Sequence, residues 1–289
     1  MELVSYYHKG TAGKAIYWLL GFITIFAGTV MLFTYNTEAD ISRHTDYVLS
    51  VSEQLPATQY DPEKFDALPA PVQRYFHFTF IEPAKRFNAV EMTMEGDFRR
   101  PQQSTFAFTT AEQTAAVNSP AFVFSATTPI IPGIWARAYD AFYNGEMEMK
   151  AKILSTLTVV DERETPELNR ISLRRWLLEA PLYPSALLPV GLVTWEAIDE
   201  YHARATVNHD GMSASMVAKF REDGSLESFA AEKDGDLNTP YHGSGEHVLR
   251  EDYRLVNGMM IPHRFVISRA ADGKVYPFWK GEVSAISFK

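Results

Sequence analysis

Alternation of apolar and polar residues runs through much of this chain from Asn88 onward and limits the folds it can adopt. In "EMEMKAKI", for example, Met147 and Met149 fall on one side, and Glu146 and Glu148 on the other. A period of two is typical of strands with one buried and one solvent-exposed face. Six dipeptides that favour tight reversals accompany the pattern: Asn144-Gly145, Asp210-Gly211, Asp223-Gly224, Asp234-Gly235, Asn257-Gly258 and Asp272-Gly273. The chain is therefore predicted to form a meander of antiparallel hairpins.

Two segments have helical spacing instead. In "LPAPVQRYF" (Leu68 to Phe76), Pro71 suits the first turn of a helix, and apolar side chains follow at Val72, Tyr75 and Phe76. The second segment leads into "RRWLLEAPLYPSALLP", where four residues form one apolar helical stripe: Leu173, Trp176, Leu177 and Ala180. It predicts a helix near residues 170–180, which the following proline ends.

A curved antiparallel sheet with a single apolar face must cover that face. The helical segments are the elements available for this role. We therefore predict a mainly β (α+β) fold, in which a curved antiparallel half-barrel sheet is closed by one or two helices.

The segment from Ala15 to Tyr35 contains 21 residues without a charge. At about 1.5 Å per residue it is long enough for a hydrocarbon core of about 30 Å. Aromatic residues lie near both of its ends, and Lys9 and Lys14 precede it, so the N-terminus is predicted to be cytoplasmic. A cleaved signal peptide and a buried soluble helix are the alternatives, although Thr37 to Ala39 match a cleavage site poorly.

These patterns divide the chain into four parts. Residues 1–14 are predicted to be a cytoplasmic N-terminus, 15–35 a transmembrane helix, 36–64 a juxtamembrane segment, and 65–289 an exocytoplasmic β domain with a plug helix near 170–180. The predicted location is the bacterial inner membrane, crossed once, with the C-terminal domain periplasmic.

Composition excludes several classes of site. The chain has no cysteine, which excludes disulfides, thiolate metal sites and cysteine nucleophiles. A net charge of -9 without a basic run makes nucleic acid an unsuitable partner. The motifs of serine hydrolases, zinc peptidases and nucleotide-binding loops are absent, so neither a catalytic residue nor a cofactor is predicted.

The sequence offers one group of histidines and one group of charged residues as candidate sites. In "HGSGEH", His242 and His247 are five residues apart, a spacing that suits neither a helical face nor one side of a strand, so no metal site is predicted. His263 is interpreted as an ordinary strand-edge histidine. Four charged residues form a possible polar cluster, with Arg137 and Asp140 adjacent on a helical turn and the other pair on the plug helix: Arg137, Asp140, Arg175 and Glu179.

Aromatic and leucine side chains on or beside the predicted strands and plug helix are candidates to line a ligand cavity. They are Phe106, Phe108, Phe122, Phe124, Trp135, Trp176, Leu177, Tyr183, Leu187 and Trp195. Core packing alone also accounts for them, because each buried ring removes about 150 to 250 Å² from water. A ligand is required only where the helices do not fill the concave face of the sheet.

Several motifs resemble those of an uncharacterised bacterial family, a domain of unknown function. They are "LPAPVQRYF", "FTTAEQ", "DAFYNGE", "RRWLLEAPLYPSALLP" followed by Trp195, and "YPFWKGEVSAISF", and they cover roughly residues 65 to 289. Family members often carry Trp-Asp-Ala where this chain has "AFVFSAT", with Ser125 at the acidic position. The predicted architecture is also similar to that of periplasmic lipoprotein carriers, which implies a half-barrel that holds acyl chains.

Three functions are consistent with these patterns. The leading hypothesis is a membrane-anchored, non-catalytic exocytoplasmic binding protein for a lipid or another apolar ligand. The second is an accessory or structural subunit of a membrane protein complex. The third is an envelope hydrolase, for which Arg137, Asp140 and Glu179 would have to converge in a cleft.

Overall fold

The computed structural model describes residues 3–54, 62–82, 87–100, 102–189, 191–237 and 245–289, with the backbone alone for 3–13, 62 and 63. Within these ranges the α-helices are α1 (Leu3–Gln54), α2 (Pro62–Phe65), α3 (Ala70–Thr79) and α4 (Pro166–Glu179). Two short 3-10 turns follow α4, Ala180–Leu182 and Pro184–Leu187.

Thirteen strands make up one sheet. The first six are β1 (Ala89–Phe98), β2 (Ala107–Ala116), β3 (Phe122–Ile131), β4 (Ile134–Tyr143), β5 (Glu146–Ile153) and β6 (Leu157–Arg163). The remaining strands are β7 (Val193–Ala197), β8 (His202–His209), β9 (Met212–Phe220), β10 (Leu226–Ala230), β11 (His247–Val256), β12 (Met259–Ala271) and β13 (Lys274–Phe288).

The sheet consists of two antiparallel meanders. Its order is β6-β5-β4-β3-β2-β1-β13-β12-β11-β10-β9-β8-β7, so the first and last strands pair in the middle. The edges of this sheet, β6 and β7, are consecutive in the chain and are connected through α4. The predicted mainly antiparallel β fold is confirmed, and its sheet is open.

Four of the six predicted reversals join consecutive strands directly. At Asn144-Gly145, Asp210-Gly211, Asn257-Gly258 and Asp272-Gly273, both residues have positive φ values. This conformation matches the twist of the flanking strands, and glycine adopts it without a Cβ clash. Asp223-Gly224 lies between β9 and β10, and Asp234-Gly235 lies in the longer connection from β10 to β11.

Helix α4 lies on the concave face of the sheet, where the sequence predicts a helix near 170–180. It begins after Thr165, whose side chain accepts a hydrogen bond from the backbone N–H of Leu168 at 3.2 Å. The buried Trp176 donates its Nε1–H to the carbonyl of Ala116 at 2.9 Å, which fixes the helix to the end of β2. Tyr183 then donates to the carbonyl of Trp176 at 2.8 Å and holds the 3-10 turns against the helix. The segment after α4 is therefore part of the core.

Helix α1 is long and apolar enough to cross a membrane, the one such helix among the residues searched. It does not end with the uncharged segment but continues to Gln54, through a region for which no element was predicted. Beyond Tyr35, one side of the helix packs on the convex face of β2, β3 and β4. Its buried residues there recur every three or four positions: Thr37, Ile41, His44, Val48 and Ser52.

Candidate functional site

A cavity of about 540 Å³ lies beside α4 on the concave face of the sheet. Ligand sites for small molecules generally occupy about 300 to 1,000 Å³. Helix α4 packs mainly against β9, and the cavity lies over strands of the other meander and over β11 to β13. The helix therefore fills only part of the concave face.

The space arises from small side chains on the cavity wall. Strands β2 to β5 contribute five alanines to the lining: Ala107, Ala126, Ala136, Ala138 and Ala151. Larger apolar side chains complete it, among them Met94, Met149, Phe265 and Trp279. The lining is apolar over most of its area, as is usual for sites that bind apolar ligands.

The burial of the lining residues distinguishes a mouth from a floor. The exposed lining residues belong to the β1–β2 loop, the end of β3 and β6: Arg100, Gln103, Thr105, Pro129, Ile130 and Val159. The buried charged residues of the lining are Asp140, Arg175, Glu179 and Arg250. The cavity thus runs from an exposed rim at one end of β1 to β6 to a charged floor against α4.

Arg175 organises the floor. Its Nη1 lies 2.6 Å from Asp140 Oδ2 on β4, and its Nε lies 3.0 Å from Glu179 Oε1 one turn later on α4. The side chain of Gln113 on β2 donates to the other oxygen of Glu179 at 2.6 Å. The guanidinium also lies over the rings of Phe122 and Phe124, at 4.8 and 4.7 Å from their centroids. Two carboxylates are thereby stabilised in a buried position by one cation.

Arg250 is the second cation of the floor. It is 1% exposed, donates from Nη2 to the carbonyl of Leu178 at 3.0 Å, and has no hydrogen-bond partner for Nε within the described chain. Burial lowers the pKa of Arg250, against the attraction of Glu179. Burial likewise raises the pKa of Asp140, although Arg175 acts in the opposite direction.

Three of the four predicted polar-cluster residues meet at this floor, and Arg137 does not. The expectation that Arg137 and Asp140 are adjacent on a helical turn is wrong, because both lie on β4. Residues three apart on a strand point to opposite faces. Arg137 lies on the convex side, where its Nε and Nη2 donate to both oxygens of Glu38 in α1, each at 2.8 Å.

The ten predicted ligand-lining residues are distributed over several environments. Phe124 lines the cavity. The fully buried core contains Phe122, Trp176, Leu177, Tyr183 and Leu187, and Trp195 packs against that core beside Phe220 and Phe229. Phe106 lies beneath Arg99 and Lys280, Phe108 is exposed, and Trp135 is half-buried near the β3–β4 turn.

The remaining sequence candidates occupy other positions. Ser125 lies on the convex face, beside Ile41 and Thr45 of α1. His242 lies outside the described residues, and His247 begins β11. Among the residues searched, no group of three or more histidine or acidic side chains is arranged to hold a metal ion.

Sequence reasoning missed Gln113 and Arg250 at the floor and Arg100 and Ile130 at the mouth. For Arg250 a signal exists in the sequence. It follows Val248 by two positions in β11, so that the alternation places a charge on the buried face of that strand. A charge at such a position needs a special environment, because its desolvation is costly.

Comparison with known proteins identifies one family. A model of a family of unknown function (DUF6920) matches residues 66–288. No curated protein matches the chain.

Proposed function

Because the chain belongs to this family of unknown function, we propose its function from the cavity: a non-catalytic, membrane-anchored binding protein for a lipid or another apolar ligand. The observation that carries the proposal is the apolar space of about 540 Å³ that α4 leaves open on the concave face. The alanines of its wall keep this space free, although larger apolar side chains there would bury more surface in a ligand-free protein.

The anchor is part of the proposal. The side chains of residues 14–29 are all exposed, including Trp18, Phe22 and Phe26. So large an apolar surface on a helix is favourable in a bilayer and costly in water. Residues 15–35 are proposed to cross the bacterial inner membrane, with the N-terminus in the cytoplasm and the β domain on the periplasmic side. A tether of this kind keeps a binding protein at high local concentration beside its membrane.

The test is the recovery of bound lipid from the full chain after purification in detergent, by native mass spectrometry and organic extraction. Ala151→Phe fills the cavity wall and is expected to reduce the recovered ligand at least several-fold. Ala197→Phe, on an exposed position of β7, is the matched control and should retain it.

Wild-type protein that carries no apolar ligand would overturn the proposal, as would Ala151→Phe protein that retains the full amount. A stoichiometric protein partner in place of lipid would support the accessory-subunit hypothesis instead.

A hydrolase is a second candidate, favoured by one observation. Asp140, a cavity-lining carboxyl group, has its pKa raised by burial, as is common for acid catalysts. Its ion pair with Arg175 also accounts for Asp140 as a structural residue that holds α4 against β4. Hydrolysis of envelope lipids by wild-type protein, abolished in Asp140→Asn protein that still binds lipid, would support this candidate over a binding protein.

A further inference from the structure

We propose that the mouth of the cavity is immersed in the bilayer that α1 spans, and that an acyl chain of a membrane lipid enters the cavity laterally from it. The identity of the ligand rests on the proposed function. The position of the mouth rests on contacts between α1 and the sheet, which can be tested separately.

Hydrogen bonds join the sheet to α1 immediately after the uncharged segment. Thr37 accepts a hydrogen bond from Lys152 Nζ at 3.0 Å, and its hydroxyl lies 3.4 Å from the carbonyl of Ser155 in the β5–β6 turn. Glu38 binds Arg137 of β4 through both oxygens. At about 1.5 Å per residue, these contacts lie only about 3 to 5 Å beyond Tyr35 along the helix.

The β3–β4 hairpin extends back from these contacts beside the span. Helix α1 and strand β4 run in the same direction, because Glu38 contacts Arg137 and the later residue His44 contacts Tyr143. The turn at Gly133 precedes Arg137 by four residues, or about 13 Å at about 3.3 Å per residue. The same two contacts are six residues apart on both elements, about 9 Å along α1 but about 20 Å along β4, so the strand crosses the helix obliquely. Projected on the helix axis, the turn lies close to the end of the uncharged segment, about 1 to 2 Å inside it.

The exposure of α1 supports this reach. Of residues 14–36, all are exposed except Val30 and Thr34. Val30 precedes the buried Thr37 by about two helical turns and Thr34 precedes it by about one, on the same side of α1. The covered stripe therefore continues from the sheet into the predicted span, as expected if the hairpin lies alongside it.

The β3–β4 hairpin and strand β6 have the composition of a membrane-contacting surface. Residues 127–136, "TTPIIPGIWA", carry no charge, and Ile130 and Ile131 are 51% and 57% exposed. Leu157 and Val159, across the mouth on β6, are also exposed. Trp135, one of the predicted ligand-lining residues, lies two residues after the turn, where a tryptophan at the membrane interface is favourable. A bilayer covers these side chains and at the same time faces the cavity.

The charges around the mouth indicate the class of lipid. Arg99 and Arg100 line the cavity from the β1–β2 loop. At the interface these cations suit an anionic headgroup while the acyl chain occupies the apolar space. The inferred ligand is therefore a membrane lipid with an anionic headgroup.

The absence of cysteine from the chain permits a direct test with single labels. Full-length Ile131→Cys and Leu157→Cys proteins would carry an environment-sensitive fluorophore and be reconstituted in vesicles of phosphatidylcholine and phosphatidylglycerol with nitroxide-labelled lipid. Strong quenching is expected at both sites. Leu255→Cys is the matched control, because Leu255 is also 57% exposed but lies near the β11–β12 turn, at the opposite end of the strands. Quenching at 131 and 157 no stronger than at 255 would overturn the inference.

A second measurement tests lateral entry. Vesicles containing pyrene-labelled phosphatidylglycerol would report transfer into the cavity of wild-type protein and of an Ile131→Glu/Leu157→Glu variant. The variant is expected to load lipid at least several-fold more slowly, and Leu255→Glu protein to load it at the wild-type rate. Equal rates for all three would contradict lateral entry. Quenching at the mouth without any lipid in the cavity would instead refute the proposed binding function and leave the membrane contact in place.

Discussion

The guanidinium of Arg175 connects three elements at the floor of the cavity. It binds Asp140 on β4 directly, and through Glu179 on its own helix it is linked to Gln113 on β2. Because Arg175 is 1% exposed, its loss would leave two carboxyl groups buried without their common cation.

Arg175→Met is therefore expected to destabilise the protein by about 3 to 5 kcal/mol. The corresponding decrease in the melting temperature is about 6 °C or more for a domain of this size. Thermal unfolding of the full chain in detergent measures it. Arg204→Met, which removes an arginine from an exposed ion-pair network with Glu196 and Glu232, is the control and should change the melting temperature little. Equal shifts for the two variants would contradict a central role for Arg175.

His44 is a second residue with a measurable electrostatic effect. Its Nδ1 lies 2.9 Å from the hydroxyl of Tyr143, and its ring packs on Tyr139 between α1 and β4. Burial lowers the pKa of His44, although Glu148 and Asp40 act to raise it and Arg43 and Lys150 act to lower it. The folded protein thus favours the neutral ring, and the unfolded chain binds the proton more readily.

This difference predicts a loss of stability on acidification. The contribution of His44 is present above its unfolded pKa of about 6.5 and is lost as the pH falls below that value. Between about pH 7.5 and about pH 5.5, the melting temperature of the wild type should decrease more than that of His44→Gln protein. His77→Gln, at an exposed position of α3, should behave like the wild type. An unchanged pH dependence in His44→Gln protein would disprove the assignment.

At the residue scale, the sequence predicted one part of the site. Arg175 and Glu179 are four residues apart on a predicted helix, so their proximity followed from helical geometry. Asp140 and Arg250 join them only through the register of β4 and β11, which local patterns do not determine. Phe108 and Trp135 were placed with the ligand-lining aromatics for the same reason, since composition does not indicate which face of a strand is concave.

At the scale of elements, the second half of α1 is the largest structure that the sequence did not predict. Its buried side includes the polar residues Thr37, His44 and Ser52. A helical period is recognised from the spacing of apolar residues, so it was visible in α4 but not here. The strands, with strict alternation and turn dipeptides, were predictable from the sequence.

The attachment of this helix to the sheet depends on Val48, which is completely buried against Ala116, Ala121 and Tyr143. Val48→Asp is expected to detach residues 36–54 from the convex face, because a carboxylate buried there would be desolvated without a compensating hydrogen bond or ion pair. Limited proteolysis in detergent should then cut this segment more than tenfold faster. Ser42→Asp introduces the same side chain on the exposed side of α1 and should have little effect. Equal cleavage of the two variants would show that this contact does not hold the helix.

At the scale of the whole molecule, the pairing of β1 with β13 unites the two meanders. Gly96 and Gly281 are register partners at this junction. Gly96 has a φ of +155°, and a Cβ there would lie 2.2 Å from the carbonyl oxygen of Lys280. The two backbones can approach this closely only because Gly96 has no side chain.

Gly96→Ala is therefore expected to separate the strands and to destabilise the protein by at least about 1 to 3 kcal/mol. Gly211→Ala is the control, since Gly211 also has a positive φ but no atom within 4 Å of the added Cβ. Chemical denaturation measures the free energy of unfolding of both variants. The Gly96→Ala variant reports the steric clash together with the backbone strain, and the Gly211→Ala variant reports the backbone strain alone. A Gly96→Ala effect no larger than that of Gly211→Ala would exclude the close approach as its cause.

With residues 15–35 in the bilayer as proposed, the continuity of α1 to Gln54 would fix the distance between the bilayer and the sheet. Because the helix is unbroken, the height of the cavity mouth would then be set by the depth at which the uncharged segment lies in the lipid. A bilayer several ångströms thicker would draw the hairpin deeper, and a thinner one would lift it toward water. Access to the cavity should thus depend on the acyl-chain length of the surrounding membrane as well as on the affinity of the site.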